Sequence, residues 1–499
     1  MLSPQRRWIR EKLVSSVTSC VGRWLRFRRP SVFTLLVLFI VFITFQSFIA
    51  RQTRNEKLSG ATNLRLAFDS KQLFPTLWNI LQGLSPEKSE QTGTADSLLN
   101  EEGEMDALIN PGTDSQVKKR LRELLLPKDR GLVYNHSPPV LSENPKETTC
   151  SPQSHIVFLK THKTASSTIL NILYRYGESR NLTFALPMKR HKQLFYPYFF
   201  SQDFVEGVRS QTVKEFHIMC NHMRFRQPQV AQVMPEDTFY FSILRNPVAM
   251  MESIYSYYRS MRVFKKTNSL EHFLEIGQTN PKSPLSKYHY SHNILAFDFG
   301  HENNVTADSA DLEETALKVI KAIEQDFDLI LIAEYFDESL ILLRHSLCWS
   351  LDDVASFKLN SRSKRSRQML SPDTTEKIKH WNALDWRIYV HFNATFRDKV
   401  NSLVGAEQMK KEVTELRELQ TKLANICLLD GGAVDPAQIR DRKLRPFQSG
   451  KAIIQGYNVN PGLDFQNKMK CQRLVTPELQ YTDLLYRKQF PELTGKQKG

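Results

Sequence analysis

The feature that most constrains the fold lies at residues 155–177. His155-Ile156-Val157-Phe158-Leu159 is a short apolar run with β-branched members, the pattern of a buried strand. It feeds a polar stretch at 160–167. Ile169, Ile172, Leu173 and Tyr176 then recur at helical spacing, and Gly177 reads as the stop. A strand that enters a loop dense in Lys, Ser and Thr and leaves it as a helix aims backbone N–H groups and hydroxyls at one point, where phosphate binds. Further strands are predicted at 216–220, 238–244 and 329–333, and helices at 247–260, 312–327 and 337–348. Strands alternating with helices predict an α/β fold on a doubly wound parallel sheet.

A second constraint lies upstream. Residues 32–50 (VFTLLVLFIVFITFQSFIA) carry no charge, and nineteen residues of helix span about 28 Å, close to the hydrocarbon thickness of a bilayer. The run exceeds the 7–15 residues of a typical signal-peptide core, and no small-residue cleavage site follows it. A transmembrane signal-anchor is therefore expected. Eight basic side chains and one acid precede it, so the positive-inside rule predicts a cytosolic tail at 1–31 and a type II protein. Residues 51–150, with stretches such as SPEKSEQTGTADSLLNEEGEMD, are too polar to offset their ordering entropy and read as a flexible stem. Residues 151–499 are the expected lumenal domain.

Charge placement narrows the partners. The chain of 499 residues has a net charge of +15, of which the first 30 residues carry +7. The excess thus orients the anchor and meets anionic headgroups, and no aromatic-interleaved basic motif argues for nucleic acid. Sequons at Asn135, Asn181, Asn304 and Asn393 all follow the anchor, as lumenal glycosylation requires. Five cysteines also follow it, Cys150, Cys220, Cys348, Cys427 and Cys471, so at most two internal disulfides form. None of these cysteines has the close spacing of a zinc site, and no metal is expected. The amphipathic run Met409, Val413, Leu416, Leu419, Leu423, Ile426 packs on the body or pairs two copies of the chain, which leaves a homodimer open.

The loop at 160–168 is not a Walker A motif: its glycines are missing and Lys163 precedes the small residues. An ATPase is disfavoured. The order Lys-Thr-Ala-Ser-Ser-Thr at 163–168 instead resembles the 5′-phosphosulfate loop of sulfotransferases. Together with IMCNHMRF (218–225), FYFSILRNP (239–247), LIAEYFDESLILLR (331–344) and HWNALDWRIYVHFNATF (380–396), it resembles the galactose 3-O-sulfotransferases. LNSRSKRS (359–366), DGGA (430–433), LRPFQSGKA (444–452) and PELQY (477–481) lean toward the member acting on β-galactose of glycoproteins.

The resemblance, over roughly 154–490, implies a P-loop-like core that binds 3′-phosphoadenosine-5′-phosphosulfate (PAPS) and moves its sulfuryl group, without a metal, to the 3-hydroxyl of a terminal galactose. It also implies residence in the Golgi membrane. Lys163 is then the cation that stabilises charge growing on the leaving phosphate, and Thr164, Ala165, Ser166, Ser167 and Thr168 hold that phosphate. Arg245 ends a strand before a good N-cap, Asn246, and Pro247 suits the first helical position. Arg245 and Ser253, which falls off the apolar stripe Met251, Ile254, Tyr258, resemble the 3′-phosphate element, with Asn246 standing where many sulfotransferases have Asp. His222 matches the family's general base, with His162 as runner-up or orienting partner. The basic cluster Lys358, Arg362, Lys364, Arg365, Arg367 either closes over the nucleotide or is a solvated face. The competing acceptor is galactosylceramide, and the competing class is a glycan-binding relative without catalysis.

Overall fold

The computed structural model describes residues 150–279, 285 and 288–495. Of the two units into which the chain divides, Met1–Pro138 and Pro139–Gly499, these residues belong to the second. The expected tail, the apolar run at 32–50, the stem to residue 149 and the sequon at Asn135 lie outside the described residues. Among the described residues no helix is long and apolar enough to cross a membrane.

Four parallel strands form one sheet in the order β2-β1-β3-β4: β1 (Ile156–Leu159), β2 (Ile218–Met219), β3 (Phe239–Leu244) and β4 (Leu329–Ile332). All four predicted strands are present. Every residue of β1, β2 and β4 is buried, which is why they read as continuous apolar runs rather than alternating ones. Val157 pairs with Met219 on one side and Tyr240 on the other, so β1 is central.

Helices of ten or more residues are α1 (Ser166–Ser179), α2 (Pro247–Tyr257), α3 (Leu270–Thr279), α4 (Leu312–Asp326), α5 (Phe336–Leu347), α6 (Pro372–Trp381), α7 (Ala383–Leu403), α8 (Ala406–Cys427), α9 (Phe465–Val475) and α10 (Glu478–Gln489). α5 and α7 pack on β4, and α10 packs on α1. The predicted stripe of α4 is buried at Leu312, Ala316, Val319, Ile320 and Ile323. α8 lies against α5 and buries Met409, Val413, Leu416 and Leu423, so packing within the chain accounts for that amphipathic run. Glu412 on α8 accepts from His345 Nε2 (2.9 Å) on α5 and pairs with Arg344 there.

Two expected boundaries are corrected. Gly177 does not stop α1, which continues to Ser179. A Cβ there would sit 2.4 Å from Phe184 Cζ and 2.8 Å from Ile218 Cδ1, so the glycine permits a close approach rather than a turn. α2 ends at Tyr257 rather than 260, because the carbonyls of Ser256 and Tyr257 are taken by Lys451 N–H (3.0 Å) and Ser449 Oγ (2.8 Å). Gly450, at φ 59°, makes that approach possible: a Cβ would lie 2.4 Å from the Ser256 carbonyl oxygen.

Disulfides join Cys150 to Cys348 and Cys427 to Cys471, and Cys220 stays a buried thiol. The first closes a loop of 198 residues, a constraint on the unfolded chain on the order of 3–5 kcal/mol.

Gly177→Ala sets a helix-propensity gain of about 1 kcal/mol against an overpacking cost of about 1–3 kcal/mol beside the buried Phe184 ring. The second dominates, and thermal unfolding of the variant should show a lower Tm; an unchanged or higher Tm would mean that Phe184 gives way freely.

Candidate active site

Leu159 of β1 pairs with Ser242 of β3, so the carboxyl ends of these neighbours open side by side. The chain leaves β1 toward β2 on one side and returns to β3 on the other. Ligands of open α/β sheets bind beyond the strand ends at such a reversal. A cleft of about 660 Å³ lies there. Lys163 and all of 164–168, His162, His222, Arg245 and Ser253 line it, so every predicted donor and base residue converges on one space.

The loop after β1 is held in an unusual shape. Lys163 (φ 60°) and Ala165 (φ 62°) both occupy the left-handed region without being glycine, at about 1–3 kcal/mol each. Left-handed residues next to right-handed ones turn successive N–H groups into a concave anion nest, continued here by the amino end of α1. Hydrogen bonds within the loop hold the shape. Ser166 Oγ donates to Thr161 carbonyl (2.7 Å), Thr164 Oγ1 meets Thr161 Oγ1 (2.8 Å), and Thr161 Oγ1 donates to Ile243 carbonyl (2.5 Å). Thr168 Oγ1 accepts from Leu359 N–H (3.0 Å), while Ser167 Oγ donates to Glu478 Oε2 (2.7 Å). These hydroxyls shape the nest as well as line it.

Arg245 follows β3 directly, and its Nη1 donates to the Lys163 carbonyl (3.0 Å), joining the two loops. The Asn246 side chain caps α2 by accepting from Val248 N–H (2.9 Å), with Pro247 in the first turn. Ser253, one face of α2 further on, is 2% exposed and borders the cleft. The basic cluster divides. Lys358, Arg362 and Arg367 line the cleft, whereas Lys364 and Arg365 do not, and Arg365 pairs with Asp435 outside it. Arg362 is held from two sides by Glu252 of α2, with Nη1 to Oε1 at 2.9 Å and Nη2 to Oε2. Lys358, Lys364, Arg365 and Arg367 are exposed and Arg362 is buried.

Crowding of cations shapes their ionisation. Burial, then Arg362, Arg245 and Lys160, push the Lys163 ammonium down to about 7, against a smaller opposing pull from Glu478. Its Nζ rests over the Tyr257 ring, 3.7 Å from the centroid.

His222 follows β2, and its ring orientation is settled by a carbonyl. The Lys160 carbonyl oxygen lies 2.7 Å from Nδ1 and can only accept, so Nδ1 carries the proton and Nε2 the lone pair. Lys160 Nζ donates to that lone pair (2.9 Å) and reaches Glu478 Oε2 (3.2 Å). Burial, together with His162 and Lys160, holds the His222 imidazole well below the usual histidine range, so it is neutral. Beneath it His162 stacks at 4.0 Å between centroids, with 12° between planes. Asp298 orients that second ring: it accepts from His162 Nδ1 (2.9 Å), His162 N–H (2.9 Å) and Tyr196 Oη (2.8 Å). His162 stacks on the His222 ring and also borders the cleft.

Lys160, Glu478, Asp298 and Tyr257 escaped sequence reasoning. Lys160 is legible in retrospect as the first residue after a strand that ends at the loop. Glu478 and Asp298 reach the site from 311 and 136 residues away, and no local pattern marks them.

A phosphate-shaped nest, a second cationic point and a neutral imidazole in one cleft define an α/β group-transfer enzyme for anionic donors. The family described as galactose-3-O-sulfotransferase matches residues 126–489. Human galactose-3-O-sulfotransferase 2 is 51% identical over 346 residues, 68% of this chain and 85% of the relative. Bovine galactose-3-O-sulfotransferase 4 is 38% identical over 428 residues (72% and 88%), and human galactosylceramide sulfotransferase 39% over 347 (68% and 80%). The chain belongs to the galactose 3-O-sulfotransferase family and is a sulfotransferase, whose donor is a sulfuryl carrier of the PAPS kind.

An anion beside Lys163 raises its pKa again, so above pH 7 Lys163 takes up as much as one proton on donor-product binding, and below about pH 6 it contributes none. Calorimetry with adenosine 3′,5′-bisphosphate in two buffers of different ionisation enthalpy should show that uptake at pH 8 and its loss in Lys163→Met. Equal heats in both buffers at pH 8 would contradict it.

Proposed function

We propose that the chain transfers the sulfuryl group of PAPS to the 3-hydroxyl of terminal β-galactose on glycoprotein glycans, as a type II membrane enzyme of the Golgi with its catalytic domain in the lumen. The observation that carries the reading is the convergence of Lys163, Arg245 and His222 on one cleft. A glycan binder without catalysis needs neither two anion points nor a neutral base beside them.

In this reading the 5′-phosphosulfate lies in the nest at 163–168, and the 3′-phosphate meets Arg245 and Ser253, with Arg362 and Arg367 alongside. His222 Nε2 takes the proton of the galactose 3-hydroxyl as the new O–S bond forms. The bond from sulfur to the bridging oxygen breaks, and its electron pair goes to the 5′-phosphate, where Lys163 and the α1 N–H groups stabilise the growing charge. Lys160 Nζ bonds Nε2 (2.9 Å), and the acceptor hydroxyl takes its place there. A depressed His222 pKa keeps the base unprotonated at the mildly acidic pH of a secretory compartment, whereas loss of the Lys163 proton above about pH 7 lowers donor capture.

Lumenal placement is supported by two disulfides, which persist in oxidising compartments. Asn181 and Asn304 are exposed outside helices and suit glycosylation; Asn393 lies half-buried within α7. The second acceptor is galactosylceramide, favoured by the relatives of that name, at 39% identity against 51% for galactose-3-O-sulfotransferase 2.

The enzyme incubated with labelled PAPS and a panel of lactosamine, core-type disaccharide and galactosylceramide should sulfate the galactosides at O3, and preference for galactosylceramide would select the second acceptor. His222→Asn should lower turnover about 10²–10⁴-fold while adenosine 3′,5′-bisphosphate still binds. Near-normal turnover by a folded His222→Asn enzyme would remove the base from this position.

A further inference from the structure

The sheet has a second cluster of ligand-type side chains at the end opposite the cleft. His155 immediately precedes β1, and His217 immediately precedes β2. Backbone bonds hold them there: Ile156 N–H donates to the His217 carbonyl (2.7 Å), and Phe239 N–H to the His155 carbonyl (2.9 Å). The two rings stack 5.1 Å apart, and the Glu215 carboxylate faces both. Its Oε1 lies 3.3 Å from His155 Nε2, and its Oε2 lies 3.8 Å from His217 Nε2.

His155 has an acceptor at each ring nitrogen, because Asp237 Oδ1 lies 2.8 Å from Nδ1. With a proton on Nδ1 donated to Asp237, Nε2 is the coordinating atom, on the side where Glu215 Oε1 lies. A tetrahedral centre with bonds of about 2.0–2.2 Å has ligand atoms about 3.4 Å apart, and these three ligand atoms lie within 4.8 Å of one another. Asp237 on the far nitrogen of His155 is the outer carboxylate that orients a metal-binding imidazole.

We propose that His155, Glu215 and His217 bind a divalent transition-metal ion of the Zn²⁺ type, with water as fourth ligand. Two imidazoles and a carboxylate suit Zn²⁺ better than Mg²⁺ or Ca²⁺, which prefer oxygen. His217 coordinates through Nε2 with its proton on Nδ1, giving up the long 3.3 Å contact from Thr183 N–H. The cysteine spacing that argued against a metal site has no bearing on this group. Its place at the amino ends of β1 and edge strand β2 makes it a clip on the sheet, remote from the chemistry.

The test titrates ZnCl₂ into the purified full chain against a chromophoric chelator and records Tm with and without the metal. The exposed Glu215 makes Glu215→Gln a variant that folds. The wild type should take up one more equivalent of Zn²⁺ than Glu215→Gln or His217→Gln and gain Tm with Zn²⁺ where they do not. Asp237→Ala should bind about 10–100-fold more weakly, and Glu215→His should restore uptake. Sulfuryl transfer by Glu215→Gln should match the wild type. Equal Zn²⁺ uptake and equal Tm response in wild type and Glu215→Gln would overturn the site, leaving Glu215 as a side-chain neighbour of His155 only.

Discussion

An excess of positive over negative charge at the carboxyl ends of β1 and β3 is the constraint on which the rest of the site depends. Lys160, Lys163, Arg245 and Arg362 are brought together; Glu478 pairs with Lys160, Glu252 with Arg362, and Glu334, which accepts from Asn246 N–H, acts on Arg245. The fold holds Lys163 and Arg245 by packing and a backbone acceptor, and Lys160 and Arg362 by carboxylates. Arg245 donates to a carbonyl, Lys163 rests on an aromatic face, and Arg362 is clamped on α2. The left-handed backbone at Lys163 and Ala165 belongs to the same arrangement, since a relaxed loop would turn its N–H groups away from a common point. Gathering these cations costs stability that neutral side chains would not, and an anion bound among them offsets the difference.

The imidazole beside this charge acquires its role from its neighbours. A backbone carbonyl assigns the proton to Nδ1, and the stacked His162, held by Asp298, keeps the ring plane facing the cleft. Burial above all, then His162 and Lys160, makes His222 hard to protonate.

Much of this was legible in the residues alone. The strands were readable because parallel strands buried on both faces leave unbroken apolar runs, as IVFL and LILI do. Lys163 and Arg245 were readable because each follows a strand and precedes a helix. Their adjacency was not, since it depends on β1 and β3 being neighbours while β2 lies on the far side. Gly177 was misread because a glycine late in a helix serves equally as a stop or as a point of close packing, and only the position of Phe184 decides. The basic run at 358–367 seemed undivided because its partner acids, Glu252 and Asp435, lie 110 and 70 residues away.

The central claim is a two-point grip on one nucleotide, and it is tested most directly by comparing affinities for adenosine 3′,5′-bisphosphate and adenosine 5′-monophosphate in the wild type, Arg245→Gln and Lys163→Gln. One lost charge-assisted contact corresponds to about 10–100-fold in affinity. The account predicts that Arg245→Gln loses that factor for the bisphosphate alone, whereas Lys163→Gln weakens both ligands alike. Equal losses for both ligands in Arg245→Gln, or none for either, would contradict it.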